Sequence, residues 1–196
     1  ENIKRAFRMT GLPLSFTQGF NKREKISAGF PVPVGIESMA EIADVELHRA
    51  LTDDEIGSVI PEINRRLPQF LKVERVTAVA EKGTVMGNTC AVLYRADLAN
   101  GELISAAVQN IDRNISIRKK TKSGESREFT VKEILHSCTV EGNILFLKLF
   151  AGRESSVRVD EFLAALTGSS HIPGSDAAIM KICQYRETEE GLQVIE

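Results

Sequence analysis

The sequence predicts an α+β fold built from two tandem ferredoxin-like (βαββαβ) subdomains with antiparallel sheets, in which the first strand of the N-terminal half is missing. Segments of helical and strand periodicity alternate in a similar order in both halves. Two Thr-x-x-Glu capping boxes, at residues 52–55 and 130–133, mark helix starts, and Gly142-Asn143 marks a hairpin. We therefore expect one half over residues 1–81 and the other over residues 89–196.

The N-terminal half opens on a short helix. Ile3, Ala6 and Phe7 share one helical face, and Gly11 can close the helix. The next helix is expected at the first capping box, although Pro61 can kink it or delay its start. Segments with the extended or alternating composition of strands are residues 14–18, 26–36, 41–48 and 71–79. Because the first residue is a glutamate that enters directly on a helical pattern, we also expect an upstream piece.

The C-terminal half follows the same plan. Helices are expected after Asn100, at the second capping box, and along Val159, Phe162 and Leu166, where Gly168 ends the pattern. Segments with strand composition are residues 90–98, 115–121, 137–141, 144–150, 180–186 and 192–195. The run at 144–150, ILFLKLF, is apolar on both faces, which predicts a central strand covered on both sides.

Composition is that of an ordinary globular protein, with 196 residues, 42% hydrophobic residues and a net charge of −2. The cysteines at positions 90, 138 and 183 are far apart and form no CxxC pair, which excludes a zinc ribbon or a local cluster-binding motif. We expect free, buried thiols and no cofactor. Because the chain shows neither a signal peptide nor an apolar stretch long enough for a bilayer, we expect a cytoplasmic protein with no membrane partner.

Charge is segregated along the chain. Residues 1–27 carry six cations against two acids, and residues 37–62 carry eight acids against one arginine. Residues 113–132 carry seven cations against two acids. Segregation of this kind can steer an anionic partner even when the net charge is near zero. The alternative is a set of ordinary solvated faces.

Residues 12–38, LPLSFTQGFNKREKISAGFPVPVGIES, contain three prolines and several glycines, which predict a specific backbone shape. Within this segment the Gln18 and Asn21 amides could present donors and acceptors to a ligand. The cations around them are Arg5, Arg8, Lys22, Arg23 and Lys25. The alternative is a packing role, in which Asn21 caps the turn and Phe20 packs beneath it.

A second cationic group follows the predicted strand at 115–121. It consists of Arg118, Lys119, Lys120 and Lys122. In a flexible turn these side chains can reach phosphates, arginine through a forked geometry and lysine through charge alone. With no tryptophan and two tyrosines, the chain favours recognition of RNA shape and backbone over base reading. The alternative is a charged hairpin loop that only keeps the chain soluble.

Catalytic groupings are weak, and we expect no catalytic or metal-ligating residue. Asp44, Glu46 and His48 share one strand face and could converge on a metal ion, but a solvated sheet face explains the same alternation. His136 and His171 have no partner at useful spacing for acid–base chemistry.

Several stretches are similar to a known family: LPLSFTQGFN, KIS, VPVGIES, EIADVEL, RVDEFLAALTG and KICQYRE. Over nearly the full chain they resemble the uncharacterised domain-of-unknown-function family associated with radical-SAM proteins, which occurs alone or fused behind a radical-SAM enzyme. That family commonly reads FNPHPKIS where this chain reads FNKREKIS at residues 20–27. The resemblance implies a radical-SAM protein as partner, although this chain lacks the three-cysteine motif of such an enzyme. The family's histidine in this motif is therefore absent here, and charged residues stand at this part of the motif. Their presence favours recognition of a ligand over catalysis.

Together these observations predict a non-catalytic accessory domain of a radical-SAM system that binds or presents transfer or ribosomal RNA. Two alternatives stay open. One is an RNA-processing or RNA-modifying enzyme with a site at the 18–38 loop, and the other is a protein-interaction module that uses the acidic residues 37–62. The residues expected to contact RNA or a partner are Arg5, Arg8, Gln18, Asn21, Lys22, Arg23, Lys25, Arg118, Lys119, Lys120 and Lys122.

Overall fold

The computed structural model describes residues 2–79, 83–120, 126–152 and 157–195, which form a mixed α+β protein with several antiparallel sheets, as predicted. The helices are α1 (Asn2–Arg8), α2 (Asp53–Asn64), α3 (Val85–Asn88), α4 (Gly101–Asp112), α5 (Val131–Ile134) and α6 (Val159–Thr167). The strands are β1 (Ile26–Ala28), β2 (Glu37–Ser38), β3 (Ala43–Val45), β4 (Ala91–Leu98), β5 (Ser116–Lys120), β6 (Ser126–Thr130), β7 (Leu135–Glu141), β8 (Ile144–Phe150), β9 (Ala177–Thr188) and β10 (Gly191–Val194).

By their contacts the residues group into two units. The first comprises Glu1–Ala28 and Ala43–Thr84, and the second comprises Gly29–Ile42 and Val85–Glu196. The segment Gly29–Ile42 therefore belongs with the C-terminal part of the chain. The division into domains at residues 1–81 and 89–196 stays a prediction. In the described part of the chain, no helix combines the length and the apolar character needed to cross a bilayer.

The first unit has a small core between two helices and a strand pair. β1 and β3 are antiparallel, with Ile26 opposite Val45. An isolated bridge joins Leu47, just after β3, to Leu14, which lies in an earlier segment than β1. The buried core residues are Ala6, Phe7, Leu14, Val59 and Ile63. Val45 and Leu47 pack against this core while the residue between them is exposed, so the predicted alternation along residues 41–48 is confirmed there.

Helix α2 begins where its capping box predicts. The Glu55 N–H donates to Thr52 Oγ1 at 3.3 Å, and the Thr52 N–H donates to Glu55 Oε2 at 2.9 Å. Pro61 lies inside the helix near its end, so it does not delay the start. Its ring removes one backbone donor from the last turns.

Residues 71–79 form no strand, so that prediction is wrong. A strand needs a neighbouring backbone to take its hydrogen bonds, and these residues find a side chain instead. The Val73 N–H donates to Asn64 Oδ1 at 2.7 Å, and Asn64 Nδ2 donates to the Val73 carbonyl at 2.8 Å. The segment is held against the first core by Val73 and Val76.

The second unit is built on a sheet with the strand order β10-β9-β4-β8-β7, in which all these neighbours are antiparallel. Elements β4, α4, β7, β8, α6 and β9 follow one another as βαββαβ. Among those four strands the spatial order is fourth, first, third, second. α5 and the β5–β6 hairpin are inserted between α4 and β7. β2 joins the sheet by parallel pairing with β9.

Helices α4 and α6 contact each other and share one core with a single face of this sheet. Side chains along β8 alternate accordingly. Those at positions 145, 147 and 149 are buried, and those at 144, 146, 148 and 150 are half-buried or exposed. ILFLKLF is a central strand between β4 and β7, as predicted. The prediction that both of its faces are covered is wrong, because both helices lie on the same side.

Most of the segment Gly29–Ile42 does not pair as a strand, and two polar side chains of β9 bind it instead. Lys181 Nζ donates to the Phe30 carbonyl at 2.7 Å. Gln184 Oε1 accepts from the Phe30 N–H at 3.2 Å, and Gln184 Nε2 donates to the Ala40 carbonyl at 2.7 Å. Both side chains are fully buried. The predicted strand over 26–36 is therefore limited to Ile26–Ala28.

Gly29 provides a test of how closely this segment packs. A Cβ atom there would lie 2.8 Å from Val85 Cγ1 and 3.2 Å from the Ile42 carbonyl oxygen, so Gly29→Ala forces its neighbours apart. We expect the free energy of unfolding to fall by about 1–3 kcal/mol, the usual cost of overpacking, in urea denaturation followed by circular dichroism. Gly101→Ala is the matched control, because its Cβ position has no atom within 4 Å. An equal loss in both variants would contradict the interpretation.

Glu55 links the stability of the first unit to pH. Its hydrogen bonds with the Arg49 side chain and the Thr52 N–H lower its pKa from 4.5 to about 2. The unfolded chain thus binds this proton at a higher pH, so the stabilisation is complete above about pH 4.5 and is lost as the pH falls towards 2. We expect the pH dependence of the unfolding midpoint in this range to be shallower in Glu55→Gln. Glu74→Gln, at an exposed position in the same unit, should keep the wild-type slope.

Candidate nucleic-acid interface

In the first unit, residues 17–23 form a closed loop, here called the basic loop. The Thr17 N–H donates to the Arg23 carbonyl at 2.8 Å, and the Arg23 N–H donates to Thr17 Oγ1 at 3.1 Å. A bridge between Phe16 and Glu24 continues this pairing. Gly19 has a φ of 124°, which a side chain would strain. All seven residues of the loop are exposed.

The basic loop presents its side chains to solvent. Phe20 is fully exposed, so the expectation that it packs beneath the turn is wrong. The backbone of Thr17 and Arg23 closes the loop, which therefore needs no apolar support. The amides of Gln18 and Asn21 are exposed and form no hydrogen bond with any described residue, so the structure shows no Asn21 cap. These amides are available to a ligand.

The cations near the loop fall into two groups. Arg8 binds Glu24 through an ion pair and through a hydrogen bond from Nη2 to Oε2 at 3.1 Å. This hydrogen bond lowers the pKa of Glu24. Lys25 Nζ lies 2.8 Å from Glu46 Oε1. The predicted cations that form no ion pair with any described residue of this unit are Arg5, Lys22 and Arg23.

Asp44, Glu46 and His48 do not gather into a metal site. Within the residues that the structure describes, no group of three His, Cys, Asp or Glu side chains is placed to hold a metal ion. Asp44 lies opposite Ser27 in the β1–β3 pair, and Glu46 is bound by Lys25. These two carboxylates contact the neighbouring strand segment.

The second predicted basic group lies in the second unit, on the β5–β6 hairpin. Arg118 is exposed and lies opposite Glu128, while Lys119 is half-buried and lies opposite Arg127. Lys122 lies outside the described residues, as does the side chain of Lys120. The structure therefore separates the predicted site residues between two units.

A groove of about 310 Å³ lies beside the hairpin. Its lining residues are Ser116, Ile117, Arg118, Lys119, Val157, Glu161 and Ala165. The carboxylate of Glu161 places a negative charge near the two cations. The groove is thus mixed in charge and is less selective for an anion than the basic loop is.

A polar cluster in the second unit joins Ser38, Glu41 and Lys181. Lys181 forms an ion pair with Glu41, and Ser38 Oγ donates to Glu41 Oε1 at 2.8 Å. Burial lowers the pKa of Lys181, and the hydrogen bond with Glu41 opposes that shift. Because Lys181 is fully buried and also binds the Phe30 carbonyl, its ammonium is committed to holding Gly29–Ile42 in place.

The three cysteines are free, as predicted, but they are half-buried where we expected full burial. Burial raises the pKa of the Cys90 thiol and of the Cys138 thiol. Both thiols are therefore protonated at neutral pH, and a protonated thiol is a weak nucleophile.

Four side chains that were predicted to lie in strands, with no functional role, are on the open face of the second unit's sheet. They are Phe146, Lys148, Phe150 and Tyr185. Burial raises the pKa of Tyr185 to about 12, so its ring stays neutral. Lys148 was the signal in the sequence that one face of this strand is open, because a strand covered on both sides has no place for a lysine without a partner.

Comparison with protein families matches residues 1–159 to a family described as an uncharacterized protein conserved in bacteria (DUF2344). No match was found among curated proteins. The matched region runs from α1 to the start of α6 and includes both the basic loop and the β5–β6 hairpin. Because the match covers well over half of the chain, this protein belongs to the DUF2344 family.

Proposed function

We propose that this protein is a non-catalytic, cytoplasmic accessory domain that binds RNA through the basic loop. The observation that carries the proposal is the composition of residues 18–23, here called the tip of that loop. Lys22 and Arg23, which form no ion pair with any described residue, lie in the same short loop as the fully exposed Phe20. A loop that served packing alone would bury the phenylalanine and neutralise the cations.

Each part of the tip suits a part of RNA. Lys22 and Arg23 supply charge for phosphates, and arginine can also bind a phosphate through two parallel hydrogen bonds. Phe20 offers a face on which one unpaired base can stack. The amides of Gln18 and Asn21 offer donors and acceptors for a base edge or a 2′-hydroxyl. Most of the affinity then comes from charge, and the exposed ring adds a preference for single-stranded RNA.

The Arg8 and Lys25 side chains have a different part in this proposal. Their ion pairs with Glu24 and Glu46 tie the base of the loop to α1 and to the residues after β3. We assign them to positioning the loop, and we assign the phosphate contacts to the cations that lack such a pair.

The partner and the fold are part of the same proposal. The resemblance to the family associated with radical-SAM proteins supports a radical-SAM protein as partner, to which this domain presents RNA. The strand order of the second unit supports a ferredoxin-like subdomain there. The β1–β3 pair, flanked in sequence by α1 and α2, supports a second such subdomain in tandem.

Reversing the charge of the basic loop should weaken RNA binding irrespective of RNA sequence. For the double variant Lys22→Glu, Arg23→Glu we expect at least a roughly tenfold loss of affinity for transfer RNA at low salt. The slope of log K against log salt should shrink by about one for each lost phosphate contact, as measured by filter binding. Lys72→Glu is the matched control for the single variant Lys22→Glu, because it makes the same charge change at an exposed lysine of the same unit. Absence of salt-dependent binding to transfer and ribosomal RNA would contradict the proposal.

Removing the exposed ring should affect single-stranded RNA selectively. Phe20→Ala should cost about 1–3 kcal/mol of binding free energy for a single-stranded oligonucleotide, since a stacked base loses its platform, and should leave duplex binding unchanged. Phe70→Ala is the matched control, because Phe70 is also highly exposed, at 82%, in the same unit. Equal effects of the two variants in a competition assay would rule out stacking on Phe20.

A further inference from the structure

One face of the second unit's sheet is open. The helix-covered face is buried along β4 and β8. On the other face the side chains are half-buried or exposed, except Ala91, which is fully buried opposite Phe150 and Tyr185. Those on the open face include Leu93, Arg95, Phe146, Lys148, Phe150 and Tyr185. Phe150 is 39% exposed. A face of this composition, with three aromatic rings and two cations, is unusual for a surface that only meets water.

The strand register brings rings and a cation together at one end of this face. Phe150 and Tyr185 both lie opposite Ala91, one on each side of β4, so their backbones are two strand spacings, or roughly 10 Å, apart. Lys148 Nζ lies 4.2 Å from the centroid of the Tyr185 ring. The His136 ring meets the Phe150 ring edge-on, with centroids 5.3 Å apart and an interplanar angle of 66°. We call this group the ring end of the sheet.

Charge is separated along the same face. Lys148 forms no ion pair with any described residue, whereas Arg95 Nη2 lies 2.7 Å from Asp97 Oδ1. The acids Asp97 and Glu141 lie at the opposite end, both opposite Ile144. Exposed Glu187 lies two residues beyond Tyr185 on β9, so the positive charge of the ring end is that of Lys148 alone. A ligand that brings one negative charge to Lys148 together with flat aromatic groups complements this end.

We propose that the ring end, formed by His136, Lys148, Phe150 and Tyr185, binds single-stranded RNA. A base stacks on the Phe150 ring, and a phosphate of the same strand contacts Lys148 where it lies over the Tyr185 ring. Stacking on an open antiparallel sheet is an established way for proteins to hold unpaired bases. The inference rests on the proposed RNA-binding function and adds a second surface to it.

An apolar protein partner fits this surface less well. It would cover the Lys148 ammonium without a counter-charge, and burying an unpaired charge is costly. A nucleic acid strand supplies the phosphate and the aromatic faces from one molecule. In a base-paired duplex the faces of the bases are occupied, so only an unpaired strand can use the rings.

The chain carries its own reporter for this surface. It has no tryptophan and two tyrosines. Tyr94 is 3% exposed and belongs to the helix-covered core, whereas Tyr185 lies on the open face. Tyr94→Phe leaves Tyr185 as the only tyrosine, so a change in its emission on titration reports contact at the ring end.

The test titrates the full chain carrying Tyr94→Phe at low salt with a single-stranded RNA of about ten nucleotides and with the matching duplex. We expect saturable quenching by the single strand and none by the duplex. Adding Phe150→Ala should weaken single-strand binding at least about fivefold, the lower range for one lost stacking contact. Val140→Ala, at a residue of β7 with a similar exposure of 43%, is the matched control. Lys148→Gln, which leaves the rings in place, should flatten the salt dependence by about one phosphate contact.

The outcomes separate this inference from the proposed function. Quenching that Phe150→Ala weakens, and that survives in Lys22→Glu, Arg23→Glu, supports the ring end. Binding of the single strand without quenching of Tyr185, unaffected by Phe150→Ala and lost in the basic-loop variant, overturns this inference and leaves the proposed function standing. Absence of binding by either RNA at low salt overturns both. Circular dichroism spectra and melting curves confirm that each variant is folded before titration.

Discussion

The second unit depends on hydrogen bonds that side chains of β9 make to the backbone of Gly29–Ile42. Buried N–H and C=O groups must find partners, and Pro31 and Pro33 have no N–H to contribute to a ladder. β2 pairs with the sheet, and the Met39 N–H just after it donates to the Lys181 carbonyl at 3.0 Å. The side chains of Lys181 and Gln184 bind three further backbone groups of the segment from within the core. Polar groups in this part of the core are stabilising because each has its partner.

An irregularity in β9 makes this possible. The register between β4 and β9 shifts after Leu93, where Ile182 is left without a partner on β4. A bulge of this kind interrupts the period-two alternation, so Lys181 and Gln184, three residues apart, both face inward. The close approach of Gly29 to Gln184 follows from the same geometry. One extra residue in β9 thus lets two side chains of that strand bind the segment Gly29–Ile42.

The two surfaces that we propose for RNA share one physical feature. In each, an exposed or half-exposed ring lies near a cation that the described residues leave without an ion pair, Lys22 and Arg23 near Phe20 and Lys148 near Tyr185. By contrast, Arg8 and Arg95 are held in ion pairs. Phosphate charge and base stacking are the two sequence-tolerant contributions to RNA binding, and each surface offers both.

Helix starts and ends could be read from the sequence because their signals act within a few residues, as in the capping box of Thr52 and the left-handed cap at Gly168. Whether a strand face is covered, and whether a segment finds a neighbouring strand, depends on distant residues. This is why the open face of ILFLKLF and the lack of a strand at residues 71–79 were not predicted. The sequence by itself determined the family, the α+β class and the inventory of cations. Only the tertiary structure decided which cations and rings are free to meet a ligand, because an ion pair such as Arg8–Glu24 forms between residues that the fold brings together.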